Sequence, residues 1–285
     1  MATQPALTLG RRGLLTGAAA LAISACGTRG TRSTRSTRAT DGPTGMRTIR
    51  YGSEHRDQYG VLGMPSGTPR ALVLLLHGGF WQDGYGAELM DPVAADLRAR
   101  GFATWNVEYR RVGGAGGFPA TFLDVAAAVD KVDALGLGSA PTILLGHSAG
   151  GHLAVWAASR TAGTPGGAPR VVPSTTISLS GVLDLGTAAT QVLGGGAAGS
   201  LMGAGPDRAP NDYAVADPIR LVPARGTVIA VHARADDVVP LDQSRAYVAA
   251  DQAAGGDARL VLVPGDHFAL IDPGSDAWAE VVALL

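Results

Sequence analysis

From residue 46 onward, short runs of consecutive apolar residues alternate with longer stretches in which apolar side chains recur every three or four positions. The first kind has strand character. ALVLLLH at 71–77 is apolar almost throughout and is stopped by glycines, as in a strand buried on both faces. FATWNVEY (102–109), PTILLGH (141–147), VVPSTTISLS (171–180), TVIAVHA (227–233) and RLVLVPG (259–265) read the same way. The second kind predicts helices: Leu89, Val93 and Leu97 share one face over 86–100, and further helices are expected at 118–135, 149–161, 240–254 and 275–285. Two extended stretches, 48–51 and 59–64, precede the first long strand. Alternation of this kind predicts an α/β fold with a doubly wound, mostly parallel sheet and helices on both faces. Ligands of such sheets bind at the carboxyl ends of the strands.

Residues 1–45 do not share the pattern. TLGRRGLLTGAAALAISACG (8–27) holds an arginine pair, Arg11 and Arg12, then an apolar core of about a dozen residues. That core is shorter than the roughly 20 residues that span a bilayer, so it reads as a signal peptide. The pair resembles the twin-arginine export signal. Ile23-Ser24-Ala25-Cys26 resembles the bacterial lipobox, in which the cysteine becomes acylated. Cys26 is the only cysteine, which suits lipidation and excludes an intrachain disulfide. Residues 27–45, GTRGTRSTRSTRATDGPTG, repeat small polar residues with arginine and read as a flexible tether. The expected organisation is thus a signal peptide (1–26), a tether (27–45) and a folded domain (46–285). The expected location is exported, lipid-anchored through Cys26 on the outer face of a bacterial cell membrane.

Composition narrows the class further. With 46% hydrophobic and 16% charged residues, the 285-residue chain can bury a large core and is not disordered. The formal net charge of −1 hides an asymmetry: residues 1–50 carry eight arginines and one acid, so the rest of the chain is acidic. An acidic body argues against nucleic acid as a partner.

The candidate chemistry centres on GHSAGG (146–151), lying between an expected strand and an expected helix. A serine hydroxyl is a poor nucleophile until a base takes its proton. On a sharp strand-to-helix turn its oxygen stands clear of the backbone, and Gly146, Gly150 and Gly151 give the room that so tight a turn requires. Ser148 is therefore the candidate nucleophile. Among later histidines, His152 is carried away along the helix, and His232 ends a buried strand where it can shape the following loop. His267, in PGDHFAL, follows the last strand and is the candidate base. The loop RADDVVP offers Asp236 and Asp237 to hold the imidazole. HGGFW (77–81) follows the first long strand and supplies candidate oxyanion donors in the backbone N–H groups of Gly79 and Phe80, joined by Ala149. His77 and His147 belong to these turns as supports, and His55 fits no pattern.

Together HGGFW, VEYR (107–110), GHSAGGHLA, HARADDVVP and GDHFALID resemble the α/β-hydrolase superfamily, within it the esterase and kynurenine-formamidase (arylformamidase) branch. The resemblance covers essentially all of 46–285. It implies the α/β-hydrolase fold and hydrolysis of acyl groups through an acyl-enzyme by a Ser148–Asp236–His267 triad, with no metal and no cofactor. Counted from His232, Asp236 takes the fifth place of the HGxxDxxVP pattern of related enzymes, which selects it over Asp237; Ala233 departs from that pattern, which has glycine there. Phe80 stands where HGGG-type esterases have their third glycine. A carboxylic-ester hydrolase acting on a small-molecule substrate is the first expectation. The alternatives are an arylformamidase-type amide hydrolase, less suited to an exported chain, and a non-catalytic binding lipoprotein. Residues 182–217, rich in glycine and alanine, are expected to form a small cap. Phe80, Trp81, Leu183 and Tyr213 are candidate pocket walls, and Asp184 either lines the pocket or caps a helix.

Overall fold

The computed structural model describes residues 45–285. The expected signal peptide with Cys26, and the expected tether up to its last residue, lie outside the described residues. Eight strands form one sheet among the described residues: β1 (Met46–Arg50), β2 (Tyr59–Gly63), β3 (Leu72–Leu76), β4 (Ala103–Val107), β5 (Thr142–His147), β6 (Thr175–Leu179), β7 (Thr227–Ala233) and β8 (Ala258–Val263). In space they run β1-β2-β4-β3-β5-β6-β7-β8. β1 pairs antiparallel with β2, and β2 with β4; every other pair is parallel. The sheet is doubly wound and mostly parallel, as its strand–helix alternation predicts. After β3 the chain builds β4 on one side and returns to place β5 on the other. Such a switch opens a crevice at the carboxyl ends of the strands.

The apolar run of β3 is explained by its position. Its side chains alternate between two cores and all five are buried. Leu72, Leu74 and Leu76 join the core beneath α2 (Ala120–Asp130) and α3 (Ala149–Ala158). Val73 and Leu75 join the core beneath α1 (Asp91–Ala99) and α8 (Asp276–Val282). Each such burial contributes roughly 1.5–3 kcal/mol. Strand β7 and α7 (Asp242–Ala253) share a smaller cluster through Val228, Ala230, Tyr247 and Val248.

Some expected elements are shorter, for local reasons. The 86–100 segment opens as a 3₁₀ turn (Ala87–Met90) and becomes α1 around Pro92, since proline suits only the first helical turn. The expected strand 171–180 pairs only over Thr175–Leu179, beyond Pro173, which has no N–H to give. Residues 182–217 hold three short helices, α4 (Leu185–Thr190), α5 (Leu193–Met202) and α6 (Pro210–Ala216). The first turn of α5 is left-handed at Gly194, Gly195 and Gly196 (φ 59, 69 and 88), a conformation open to glycine. No helix among the described residues is long and apolar enough to cross a membrane.

The β5–α3 junction is packed backbone against backbone. A Cβ on Gly146 would overlap the Gly150 carbonyl, and one on Gly150 would overlap the carbonyls of Leu76 and His77. Gly146→Ala and Gly150→Ala are each expected to lower stability by roughly 3 kcal/mol or more. Gly199→Ala, on α5 with open space around it, is expected to raise stability by up to about 1 kcal/mol. Urea unfolding midpoints of the three variants check this, and equal effects at the three sites would contradict the packing account.

Candidate active site

Ser148 sits between β5 and α3 with φ 55 and ψ −118, a conformation rarely held by a residue with a side chain. It costs on the order of 1–3 kcal/mol and persists where its surroundings impose it. Here the Ser148 N–H donates to the Leu179 carbonyl at 2.8 Å, tying the turn to β6. Ala149 is the first residue of α3, so its own N–H has no partner within the helix and points at the turn.

The loop after β3 lies against this turn. A Cβ on Gly78 would come within 3.1 Å of the Ser148 side chain, so the loop and the serine touch. Gly79, Phe80 and Trp81 all have positive φ (102, 56 and 58), two of them without the freedom of glycine. The loop is closed by Gln82 N–H to the Gly79 carbonyl at 2.9 Å and by Val112 N–H to the Trp81 carbonyl at 2.8 Å. Beneath it, His77 Nδ1 donates to the Gly78 carbonyl at 2.7 Å, its ring stacks on Tyr109 at 4.3 Å, and its Nε2 faces Glu108 at 3.2 Å.

His267 follows β8, and Asp236 follows β7. The Nδ1–H of His267 donates to Asp236 Oδ2 at 2.7 Å. The other carboxylate oxygen accepts from the N–H groups of Val238 and Val239 at 2.9 and 2.8 Å. Burial alone would raise the Asp236 pKa. The hydrogen bonds from His267, Ser180 and Val239 outweigh it and hold the carboxyl at about 2. Asp237 is exposed to solvent. With Nδ1 committed to Asp236, Nε2 of His267 is the nitrogen left to face the cavity that His267 shares with Ser148. No hydrogen bond joins Ser148 to His267 in this structure, and such contacts commonly tighten only around a substrate.

Other histidines hold the loops. His147 Nε2 donates to the His267 carbonyl at 2.9 Å. Burial, and then the nearby His267, lower the His147 pKa to about 3. His232 donates from Nε2 to the Val239 carbonyl at 3.0 Å and meets Ser244 Oγ at 2.8 Å, bracing the Asp236 loop. His152 accepts from Trp81 Nε1 at 3.2 Å and donates to the Ala216 carbonyl at 3.0 Å, joining the 77–81 loop, α3 and α6. Its burial lowers its pKa to about 4.

Two cavities meet at Ser148 and Phe80. The narrower, about 10 Å³, is bounded by Trp81, Ala149 and Val239 and by the residues Ala188, Leu193, Ala197 and Ala198 of α4 and α5. The wider, about 110 Å³, carries His267 and His147 together with Tyr85, Leu89, Phe268 and Ile271. Of the expected pocket walls, Phe80 and Trp81 line these cavities. The other three do not. Leu183 is buried with Val155 and Val228 in a separate cluster. Tyr213 is fully buried, its hydroxyl donating to the Ala204 carbonyl at 3.0 Å. Asp184 caps α4, accepting from Thr187 N at 2.8 Å and Thr187 Oγ1 at 2.7 Å. An aspartate placed three residues before a threonine at a helix start carries that capping signal in the sequence. Capping is the second of the two expected roles of Asp184, whereas sequence reasoning passed over Ser180, Tyr85 and Phe268. Phe268 adjoins His267 in the chain and so had a signal, whereas Ser180 and Tyr85 had none in the hydrophobic spacing.

The BD-FAE family pattern matches residues 62–250, which include Ser148 and Asp236 and stop short of His267. No curated protein matches the chain by sequence. Among solved structures, a truncated carbohydrate esterase from gut microbiota superposes with a TM-score of 0.71 at 20% identity, covering 83% of this chain and 93% of that one. Esterase B from Lactobacillus rhamnosis, in a tributyrin-phosphonate-inhibited structure, gives 0.69 at 18% identity, covering 84% and 83%. Esterase Est2 of Thermogutta terrifontis gives 0.66 at 20% identity, covering 84% and 90%.

Acidification should weaken the fold in a way set by these groups. Folded-state values of His147 and His152 lie below the ordinary 6.5, so each withdraws stability as pH falls below 6.5 toward about 3 and about 4. Asp217, raised to about 6 by burial against its amide hydrogen bonds from Leu185 and Gly186, acts in the opposite direction between pH 6 and 4. Burial lowers His232 in the same direction, so three groups act against one, and stability is expected to fall from pH 6.5 to 4.5. His152→Gln, which can keep both hydrogen bonds without titrating, should flatten that fall by about one proton's worth of slope. Urea unfolding across this pH range measures it, and an unchanged slope would remove His152 from the account. By fold and by its match over 62–250, the chain belongs to the BD-FAE family and has the α/β-hydrolase fold.

Proposed function

We propose that this protein is a serine hydrolase that cleaves carboxylic esters of small molecules through an acyl-enzyme. Ser148 is the nucleophile, His267 the general base and acid, and Asp236 the carboxylate that orients His267. One arrangement carries this reading: a strained serine on a strand-to-helix turn shares a cavity with an imidazole whose far nitrogen is held at 2.7 Å by a carboxylate. The esterase names of the structural neighbours support the same class.

In the proposed reaction His267 Nε2 takes the Ser148 proton as Oγ bonds to the ester carbon, and the carbonyl π pair moves onto oxygen. The N–H groups of Gly79, Phe80 and Ala149 meet that oxyanion, each worth roughly 2.7–4 kcal/mol of barrier. The pair returns, the carbon–oxygen bond to the alcohol breaks, and His267 gives its proton to the leaving oxygen. Water then repeats the sequence on the acyl-enzyme and releases the acid. Asp236 stays ionised throughout, consistent with its depressed pKa.

A second reading, arylformamidase-type amide hydrolysis, is favoured by one observation: the cavity beside Ala149 is small enough to suit a formyl group. Comparison of p-nitrophenyl acetate with N-formylkynurenine separates the two, because a formamidase prefers the formamide by several orders of magnitude in kcat/KM.

Ser148→Ala is expected to lower kcat by roughly 10⁴-fold or more. A fluorophosphonate should label the native protein at Ser148, located by peptide mass spectrometry, and leave Ser148→Ala unlabelled. A folded native protein that takes no label and turns over no ester would instead support a non-catalytic binding lipoprotein.

The export signal and the anchor on Cys26 are proposed from the sequence alone. In a host that processes lipoproteins, the full chain should enter the detergent phase on partitioning and Cys26→Ser should leave it. Identical partitioning of both forms would remove the anchor.

A further inference from the structure

We infer that Phe80 divides the site into an acyl compartment for one- or two-carbon acyl groups and a leaving-group compartment for large apolar, aryl-sized alcohols. This rests on the acyl-transfer reading above. The assignment of sides follows from where the proton must go. The oxygen that leaves has to be reached by Nε2 of His267, and His267 lines only the wider cavity. The alcohol portion therefore occupies that side. The acyl portion lies across the carbonyl from it, in the narrow cavity beside Ala149 and Trp81, which His267 does not line.

The two compartments differ in size and in character. The narrow one offers about 10 Å³, close to what a single water-sized group needs, so a methyl or a hydrogen fits and a propyl chain does not. Its far wall is Leu193, Ala197 and Ala198 of α5, and all three side chains are apolar. A Cβ on Gly194 would overlap the ring of Phe80, so the start of α5 rests on the dividing side chain and closes the compartment from above. The wide side offers about 110 Å³ between Leu89, Ile271 and two aromatic rings. Those rings, Tyr85 and Phe268, are 42% and 62% exposed and line the same cavity, so they form an apolar rim to it. Their flat faces at the rim suit an aryl group.

The test is a kcat/KM series on the full chain with p-nitrophenyl acetate, butyrate, hexanoate and octanoate. The expected result is a fall of at least tenfold from acetate to butyrate and a further fall to hexanoate. Leu193→Ala, which shortens the far wall without touching the triad, should raise butyrate relative to acetate by about tenfold, roughly the worth of one to two methylenes of apolar contact. Phe268→Ala should raise KM for 1-naphthyl acetate more than for methyl acetate. If native protein cleaves butyrate or hexanoate as well as acetate, the division is overturned while the hydrolase reading stands. Equal effects of Phe268→Ala on both acetates overturn the leaving-group side. If no ester is cleaved and a fluorophosphonate leaves Ser148 unmodified, the hydrolase reading fails and takes this inference with it.

Discussion

The close approach of the β5–α3 turn to the end of β3 governs most of what the site can be. Gly146 lies under the Gly150 carbonyl, Gly150 lies against the carbonyls of Leu76 and His77, and Gly78 lies against His147 and Ser148. None of these positions has room for a side chain. The serine turn and the 77–81 loop are consequently one packed unit, and the φ of 55 at Ser148 is imposed by it. Helix α3 is buried along its entire length, so the turn cannot relax by moving the helix outward. The proposed amide donors and the hydroxyl thus hold their mutual positions without help from a ligand, and a reaction that develops charge on oxygen needs that kind of preorganisation.

Around this unit the loops are fixed by histidines that burial keeps neutral. A neutral imidazole has one donor and one acceptor, which lets it join two segments in a dry interior where a charged group would be costly. His147 donates to the backbone of the residue-267 loop, His232 to the loop that carries Asp236, and His152 to the end of α6 while accepting from Trp81. The three loops of the candidate site come from the ends of β3, β7 and β8, far apart in the sequence. Each is tied by a short polar contact to β5, to β7 or to α3. The same neutrality exposes the fold to acid, because each of these rings takes up a proton more readily once unfolded.

The sequence made the sheet legible because a strand buried on both faces has no polar positions to interrupt it, as in LVLLL of β3. It made Ser148, His267 and the Asp236–Asp237 pair legible because each follows such a strand at the end where the crevice opens. What it could not show was the direction of side chains on short helices. Tyr213 is a polar-tipped residue in an apolar segment, and only its bond to the Ala204 carbonyl shows that it is spent inside the cap. For Asp184 the sequence left pocket wall and helix cap both open, and the bond from Thr187 selects the cap. Leu183 was equally ambiguous, since an apolar residue just after β6 can face the crevice or the α7 cluster, and it faces the latter. Ser180 was hidden for another reason. Its contribution to holding Asp236 depends on β6 and β7 being neighbours, and strand order is not written in hydrophobic spacing.

The proposed reacting groups and the groups that bound the proposed acyl cavity belong to different parts of the chain. Ser148, Asp236 and His267 sit on the ends of β5, β7 and β8, whose positions follow from the sheet. The narrow cavity's far wall comes from α4 and α5, inserted between β6 and β7 and shaped by a left-handed run of three glycines. Those glycines allow the chain to pass close over Phe80, and a Cβ at Gly194 would overlap the Phe80 ring. In the proposed reading the fit around the acyl group is therefore set by backbone conformation in the cap as much as by the size of the alanines lining it. Phe80 belongs to both systems, since its backbone lies in the proposed oxyanion loop and its side chain lines both cavities. A change at Phe80 must alter rate and selectivity together, whereas a change in α5 can alter selectivity alone.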